Sequence, residues 1–292
     1  MSRKASVTAM SAGTLRGTRT ISTAEYQGIR EFLERSCGIQ LGDSKQYLVL
    51  SRLTPLLVDA DIASFDDLLR RLNQGADSAL RERVIDAMTT NETSWFRDGY
   101  PYEFLREALL PEAVRAGTKH LRIWSAACAS GQEPYSISMV VEETLSAYRG
   151  LGLRVDILGT DISASALAEA KAAVYSDISV ARGLSAQRRE RFFRPTGDGH
   201  WQLMPGIRAR VRFRYANLLE DFSHLGRFDL IFCRNVLIYF TQERKRDILV
   251  RMARMLAPGG YLFLGSSESL IHGCPEYEAV RRARGVVYRR RS

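Results

Sequence analysis

The sequence predicts an α/β fold: a largely parallel sheet flanked by helices, preceded by a small all-α domain and carrying an inserted small antiparallel β-subdomain. Three observations carry this. Four helical apolar stripes and no strand precede residue 90. From residue 119, short apolar runs alternate with helical stripes, the rhythm of βαβ units. Between about residues 186 and 214 that rhythm stops, and TGDGH reads as a hairpin turn.

Residues 1–20 are rich in Ser, Thr, Arg and Gly and hold no acidic residue. They lack the apolar core of a signal peptide and read as a disordered tail, although a transit peptide shares the composition. The helical domain spans 21–88. Ser22 and Glu25 have capping-box spacing, Tyr26, Ile29, Phe32 and Leu33 form the first stripe, and Gly38 stops it. A second helix starts near Ser44, with Tyr47, Leu48 and Leu56 inward, Lys45 and Arg52 outward, and Pro55 placed to kink or split it. A third runs from Ser64 to Gly75, and a fourth carries Leu80, Val84 and Met88.

Residues 89–118 form a linker and active-site segment. TTNETSWFRD breaks the helical period, and Trp95 and Phe96 beside Arg97 are unusual for a mere tether; a helix from Pro101 to Ala116 follows. The α/β domain occupies 119–292. Leu121–Trp124 is a buried strand, followed by small residues and a helix bearing Ile137, Val140, Val141 and Leu145. Leu153–Ser163 is the second strand. WQLM and Ile207–Tyr215 read as the two strands of a hairpin, with Arg208, Arg210, Arg212 and Arg214 on one face. That row is either a solvated face or a docking edge for an acidic, extended peptide. Asn217 and Leu218 fall where a third parallel strand ends. Phe228–Phe240 is a buried strand entering a loop, Gln242–Leu256 a helix, Pro258-Gly259-Gly260 a turn, and GVVYRR a last, antiparallel strand.

The strand, small-residue turn and helix at Leu121–Ser136 make the first unit of a nucleotide-binding domain, because small side chains let backbone approach a ligand. Gly131 is its only glycine, so GxGxxG is absent. Asp161, at the tip of the second strand, is placed to accept both ribose hydroxyls of an adenosine; alternatively Asp161 or Ser163 caps the next helix. NAD and S-adenosylmethionine both fit at this point, the missing GxGxxG weighing against a dehydrogenase.

The chain has 292 residues and a formal net charge of +9. A basic chain favours an acidic partner, but no arginine–aromatic interleaving marks a nucleic-acid surface. The four cysteines lack CxxC spacing and the four histidines do not cluster, which suits free thiols in a reducing compartment and implies no metal. No apolar run approaches the length of a membrane span.

NETSWFR (Asn91–Arg97), ASGQEPYS, GTDIS, Asn217–Leu218, FCRNVLIYF (Phe232–Phe240) and PGGYLFLGSSESL occur in that order. Together they resemble a class I methyltransferase and, more closely, the bacterial chemotaxis-receptor glutamate O-methyltransferases of the CheR type. The resemblance covers about residues 20–290. It implies a Rossmann-like class I methyltransferase domain, with S-adenosylmethionine as cofactor, S-adenosylhomocysteine as product and no metal. It places cofactor contacts on Asn91, Thr93, Arg97, Glu133, Asp161, Asn217, Leu218, Arg234 and Asn235. Arg97, Arg234 and Tyr239 are the candidates for aligning the reacting groups. Lys45 and Arg52, with Arg208 and Arg210, are the candidates for substrate docking. The implied partner is the cytoplasmic methylation region of chemoreceptors, with a receptor C-terminal peptide at the β-subdomain. The expected protein is a cytoplasmic monomer that neither binds nucleic acid nor inserts in a membrane. Another methyltransferase of the same fold, or a non-catalytic docking module, is the competing reading.

Overall fold

The computed structural model describes residues 20–75, 77–146, 152–270, 274–282 and 284–291. The expected disordered tail therefore lies outside the described residues, apart from Thr20.

Helix α1 (Thr23–Cys37) is capped as its sequence dictates. Ser22 Oγ accepts the Glu25 amide N–H, and the Glu25 carboxylate takes the Ser22 N–H in return. Gly38 ends the helix with φ 76°, and its N–H returns to the Leu33 and Glu34 carbonyls. A Cβ at Gly38 would also lie 2.4 Å from the Phe240 ring, so glycine serves both the turn and a close approach to the other domain. Helices α2 (Gln46–Asp59), α3 (Phe65–Gln74) and α4 (Ser78–Met88) complete the helical domain. Ile29, Leu33, Val49, Leu53, Leu57, Leu68 and Val84 form its fully buried centre.

Two expectations for α2 change. The helix runs through Pro55 without splitting. Its buried stripe is Val49, Leu53, Leu56 and Leu57, which turns Tyr47 outward at 61% exposure and Arg52 inward. The stripe starts a residue later than the sequence pattern suggested, and one residue rotates a helix face by about 100°.

Helix α5 (Tyr100–Phe104) continues through a π-helical turn (Leu105–Leu109) into α6 (Leu110–Arg115). Phe104, Leu105, Leu109 and Leu110 pack into the core of the α/β domain, so the connection between domains is only residues 89–99. Then come β1 (His120–Ala126), α7 (Gln132–Leu145), β2 (Arg154–Asp161) and α8 (Ala164–Ala172). The insertion holds β3 (Val174–Ser176), α9 (Asp177–Ala181), α10 (Ala186–Phe192), β4 (Phe193–Pro195) and β5 (His200–Leu203). The chain returns through α11 (Pro205–Arg208), β6 (Val211–Tyr215), β7 (Phe228–Cys233), α12 (Gln242–Met255), β8 (Leu256–Phe263), β9 (Tyr277–Arg282) and β10 (Gly285–Arg290).

The main sheet has the order β6-β2-β1-β7-β8-β10-β9. The first five strands are mutually parallel, and β10 and β9 are antiparallel additions. Helices cover both faces, which is why the central strands are apolar on both sides. In β1, Leu121 and Ile123 join the core under α7, whereas Trp124 and Ala126 join the core under α12. The winding reverses at β1, and ligands of such sheets bind beyond the strand ends at that reversal.

The expected hairpin is corrected. TGDGH does turn the chain, but it joins β4 to β5, and β5 pairs with β3 on its other side. Pro205 instead opens the short helix α11, and Val211–Tyr215 pairs in parallel with β2 as an edge of the main sheet. Period-two alternation identifies the buried face of a strand, here Val211 and Phe213, but not the strand it pairs with. Arg208 and Arg210 therefore lie outside the small sheet. Arg210 forms an ion pair with Glu142 of α7, and Arg208 donates to the Lys171 carbonyl at 3.2 Å. Likewise Pro258-Gly259-Gly260 is no turn but an irregular stretch within β8, with Gly259 at φ 74° and a register shift opposite Phe228–Leu230.

Candidate active site

The carboxyl ends of β1, β2, β6 and β7 meet the helical domain and the connecting segment around one cavity of about 270 Å³. All nine residues expected to contact a cofactor line it: Asn91, Thr93, Arg97, Glu133, Asp161, Asn217, Leu218, Arg234 and Asn235. Tyr239 and Lys45 line it as well, whereas Arg52, Arg208 and Arg210 do not.

The turn after β1 is tight because two non-glycine residues adopt left-handed backbone, Ala127 at φ 56° and Ala129 at φ 47°. Such strain is tolerated where surrounding structure enforces it, and here Asp161 does so. Its Oδ2 accepts the Ala129 N–H at 2.8 Å and its Oδ1 accepts the Ser163 N–H at 2.9 Å. Each oxygen keeps a lone pair for a further donor. Burial pushes the Asp161 carboxyl above the usual aspartate range. The Ser163, Ala129 and Ile162 amides oppose that shift, and the Asp86 charge adds to it. The two sequence readings of this strand tip divide between neighbours: Asp161 faces the cavity, and Ser163 caps α8 through the Ala166 N–H at 3.1 Å.

Glu133 and Arg234 face each other. Arg234 Nη1 donates to Glu133 Oε2 at 2.8 Å, and Ser125 Oγ donates to Glu133 Oε1 at 2.7 Å. Arg234 Nη2 donates to Asp98 Oδ2 at 2.6 Å and to the Arg97 carbonyl at 2.8 Å. The Arg234 side chain is 1% exposed. Burial pulls its pKa down, but Tyr102, Glu133 and Asp98 outweigh that and hold it above the ordinary arginine value, so it stays charged. Arg234 thus positions other groups: it locks the 97–98 backbone onto β7 and α7. Arg97 is the adaptable arginine, half-buried, its guanidinium making one hydrogen bond among the described residues, to the Glu92 carbonyl at 3.2 Å.

The connecting segment is pinned at one end and open at the other. Trp95, 1% exposed, packs edge-on against Tyr175 at 4.9 Å and Phe193 at 5.3 Å, both from the small sheet. The Phe96 N–H reaches Ser136 Oγ, and the Arg188 guanidinium lies 3.8 Å above the Phe96 ring. Among the described residues, the amide N–H groups of Thr90 to Ser94 have no protein partner.

The helical domain closes the remaining side. Asn217 Nδ2 donates to the Ser36 carbonyl at 2.8 Å and its Oδ1 accepts the Leu219 N–H, so this amide joins the two domains. The Gln40 N–H donates to the Tyr239 carbonyl at 3.2 Å. Asp86 of α4 accepts the Ser163 hydroxyl, and Asn91 Nδ2 donates to the same oxygen at 3.0 Å. Arg52 is half-buried and already engaged within the chain. Its Nη1 donates to the Met88 and Thr89 carbonyls at 2.9 and 3.0 Å, holding the start of the connection.

Sequence reasoning missed Ser125, Asp86, Asp98 and Glu268. Asp98 closes TTNETSWFRD, beside Arg97, and Glu268 lies in GSSESL, where an acid in the loop after a strand was the available signal. Two cysteines line the cavity, but neither is a nucleophile at neutral pH. Burial pushes Cys37 up to about 11 and Cys128 well above its usual value. Among the described residues no group of three His, Cys, Asp or Glu side chains is arranged to hold a metal.

The residues present fit an adenosyl sulfonium: a carboxylate with spare lone pairs at the second strand tip, small left-handed residues beside it, and a carboxylate–guanidinium pair at the first helix. Fold and site define a class I methyltransferase, and comparison with known proteins agrees. Residues 91–286 match the model of the CheR methyltransferase SAM-binding domain, and residues 24–89 match that of the CheR methyltransferase all-alpha domain. The chain belongs to the CheR methyltransferase family. It is 51% identical over 270 residues to chemotaxis protein methyltransferase 1 of Pseudomonas aeruginosa, covering 92% of this chain and 98% of that one. It is 50% identical over 270 residues to a chemotaxis protein methyltransferase of Vibrio parahaemolyticus, with the same coverage. A Borreliella burgdorferi chemotaxis protein methyltransferase is 31% identical over 255 residues, 86% of this chain and 89% of that one.

Proposed function

We propose that this protein transfers a methyl group from S-adenosylmethionine to glutamate side chains of chemoreceptors, leaving glutamate methyl esters and S-adenosylhomocysteine. The observation that carries the reading is the convergence of all nine expected contact residues on one cavity in a chain of this family. When bound, the cofactor supplies a methyl group activated by a sulfonium.

The residues of the chain then have distinct tasks. Asp161 is suited to the ribose hydroxyls, and the Ala127–Ala129 turn and Leu218 to the adenosine body. Asn217 is engaged in the domain junction, so its contribution to adenine runs through the 217–218 backbone. Glu133 has acceptor capacity for the ammonium group, and Arg97, the less committed arginine, for a carboxylate. Asn91 and Thr93 flank these, with free amides beside them. Tyr239 stands at the substrate side.

The nucleophile needs no base, since a glutamate with its ordinary pKa of about 4.3 is ionised at neutral pH. A carboxylate oxygen forms a bond to the methyl carbon as the carbon–sulfur bond breaks, the electron pair passes to sulfur, and no proton moves. The protein's task is therefore alignment and exclusion of water. Lys45 at the cavity rim is suited to meet acidic receptor helices. The small sheet β3-β5-β4 is the place for a receptor C-terminal peptide, as an added strand. Buried free cysteines favour a reducing, cytoplasmic setting, and the protein acts as a monomer.

The test incubates the protein with methyl-labelled S-adenosylmethionine and a receptor cytoplasmic fragment. Label should enter the receptor and leave as methanol in mild alkali. Absence of transfer, or label that survives alkali, contradicts ester formation.

A further inference from the structure

We propose that Glu268 is a positioning residue for methyl transfer, holding the loop that carries Asn235 and Tyr239 in its working conformation. The proposal rests on the function proposed above. Glu268 lies outside the cavity, on the turn that follows β8.

The turn folds its own side chain inward. The Glu268 N–H donates to the Gly265 carbonyl at 2.9 Å, and Glu268 Oε2 accepts the Gly265 N–H at 2.8 Å. The same Oε2 accepts the Asn235 N–H at 2.7 Å, and Oε1 accepts the Ile238 N–H at 3.3 Å. One carboxylate thus collects three backbone donors, two of them from the loop between β7 and α12. Hydrogen bonds to a charged acceptor are the stronger kind.

Asn235 needs such a hold. It adopts φ 59°, left-handed backbone that is uncommon outside glycine although asparagine tolerates it best, and the Glu268 carboxylate fixes it by taking the Asn235 N–H. Gly265 makes room for the arrangement: a Cβ there would lie 2.7 Å from Asn235 Nδ2 and 2.8 Å from Glu268 Oε2. Arg234, one residue earlier, is fixed separately by Glu133, Asp98 and the Arg97 carbonyl. Glu268 therefore governs the part of the loop after Arg234, which lines the cavity through Asn235, Val236 and Tyr239. Releasing it leaves the buried ion pair in place but loosens the Asn235–Ile238 stretch, with Tyr239 then held through its carbonyl by the Gln40 N–H.

The test compares wild type with Glu268→Gln and Glu268→Asp in full-length protein. Glutamine keeps the shape but replaces one acceptor oxygen with a donor; aspartate keeps the charge on a shorter arm. Glu268→Gln should lower kcat by about 100-fold, the scale of an alignment error near 1 Å. S-adenosylhomocysteine affinity by calorimetry should fall by no more than about 10-fold, the loss of one contact, because of the nine expected cofactor contacts only Asn235 is released and the Arg234 anchor is intact. Glu268→Asp should recover part of kcat. In parallel, the Asn235 and Ile238 amides should exchange with deuterium faster in Glu268→Gln, with global exchange unchanged. A kcat within about 2-fold of wild type, or equal losses of kcat and product affinity, overturns the proposal. Unchanged exchange at both amides also overturns it. A wild-type protein that methylates no receptor counts against the proposed function, while the exchange measurement still decides whether Glu268 holds the loop.

Discussion

The two ends of the cavity are built differently. At the end formed by strand tips, every named group is already committed. Asp161 holds two amides, Glu133 holds Ser125 and Arg234, and Arg234 is bound to three partners. At the end formed by the connecting segment, five consecutive amides have no protein partner among the described residues, and the Arg97 guanidinium makes one hydrogen bond there. The difference follows from where the residues sit. Strand ends are fixed by the sheet on either side, whereas residues 90–94 are held between Arg52 upstream and Trp95 and Phe96 downstream by bonds to the Thr90, Asn91 and Glu92 side chains and the Glu92 carbonyl, with their amides left over. A rigid adenosine end beside an adjustable reacting end lets one protein bind its cofactor in a fixed pose and close over it.

The largest effect belongs to the rigid end. Arg234→Leu would leave Glu133 as a buried charge without its partner and release the more exposed Asp98, which costs about 3–5 kcal/mol of folding stability. Denaturant unfolding measures it. Arg97→Leu, removing one hydrogen bond from a half-buried side chain, should cost less than about 1.5 kcal/mol by the same measurement. Equal losses would erase the contrast between the two ends.

Asp161→Ala comes next, removing about 1.5–3 kcal/mol of S-adenosylhomocysteine binding by calorimetry. The carboxylate must be ionised to accept two hydroxyls, so affinity is full above its folded-state pKa and falls as pH drops through it. Because burial raises that pKa, the fall should begin at a higher pH than for an ordinary aspartate, and Asp161→Asn should lack it. For the unliganded fold the sign reverses. A raised carboxyl pKa means the folded state holds the proton more tightly, so this group's contribution to stability declines as pH rises from the unfolded value through the folded one.

Lys45→Glu should have the smallest effect. Exposed pairs are worth about 0–1 kcal/mol. The variant should slow receptor methylation at low salt and converge with wild type at high salt, with product affinity unchanged. Arg52→Glu, in contrast, should lower stability at every salt concentration, because it removes hydrogen bonds to the Met88 and Thr89 carbonyls.

Much of the local structure was legible in the sequence. The capping box at Ser22–Glu25, the strand ending at Asp161 and the glycine stop at Gly38 are local patterns, each set by residues close together in the chain. What was not legible is pairing across distance. The row of alternating arginines gave no sign that Val211–Tyr215 pairs with β2 and not with β5. An outward position for Arg52 followed from its helix alone, but its partners lie 36 and 37 residues away. The three acceptor roles of Glu268 were silent for a different reason: its partners are backbone amides, which any residue supplies.

Hydrogen exchange with and without S-adenosylhomocysteine tests the contrast most directly. The account predicts that the ligand slows exchange chiefly at residues 90–94, while Ala129, Ser163 and Asn235, already hydrogen-bonded to carboxylates, are slow in both states. Fast exchange at Ala129, Ser163 and Asn235 without ligand, with protection gained there and not in the connecting segment, would contradict it.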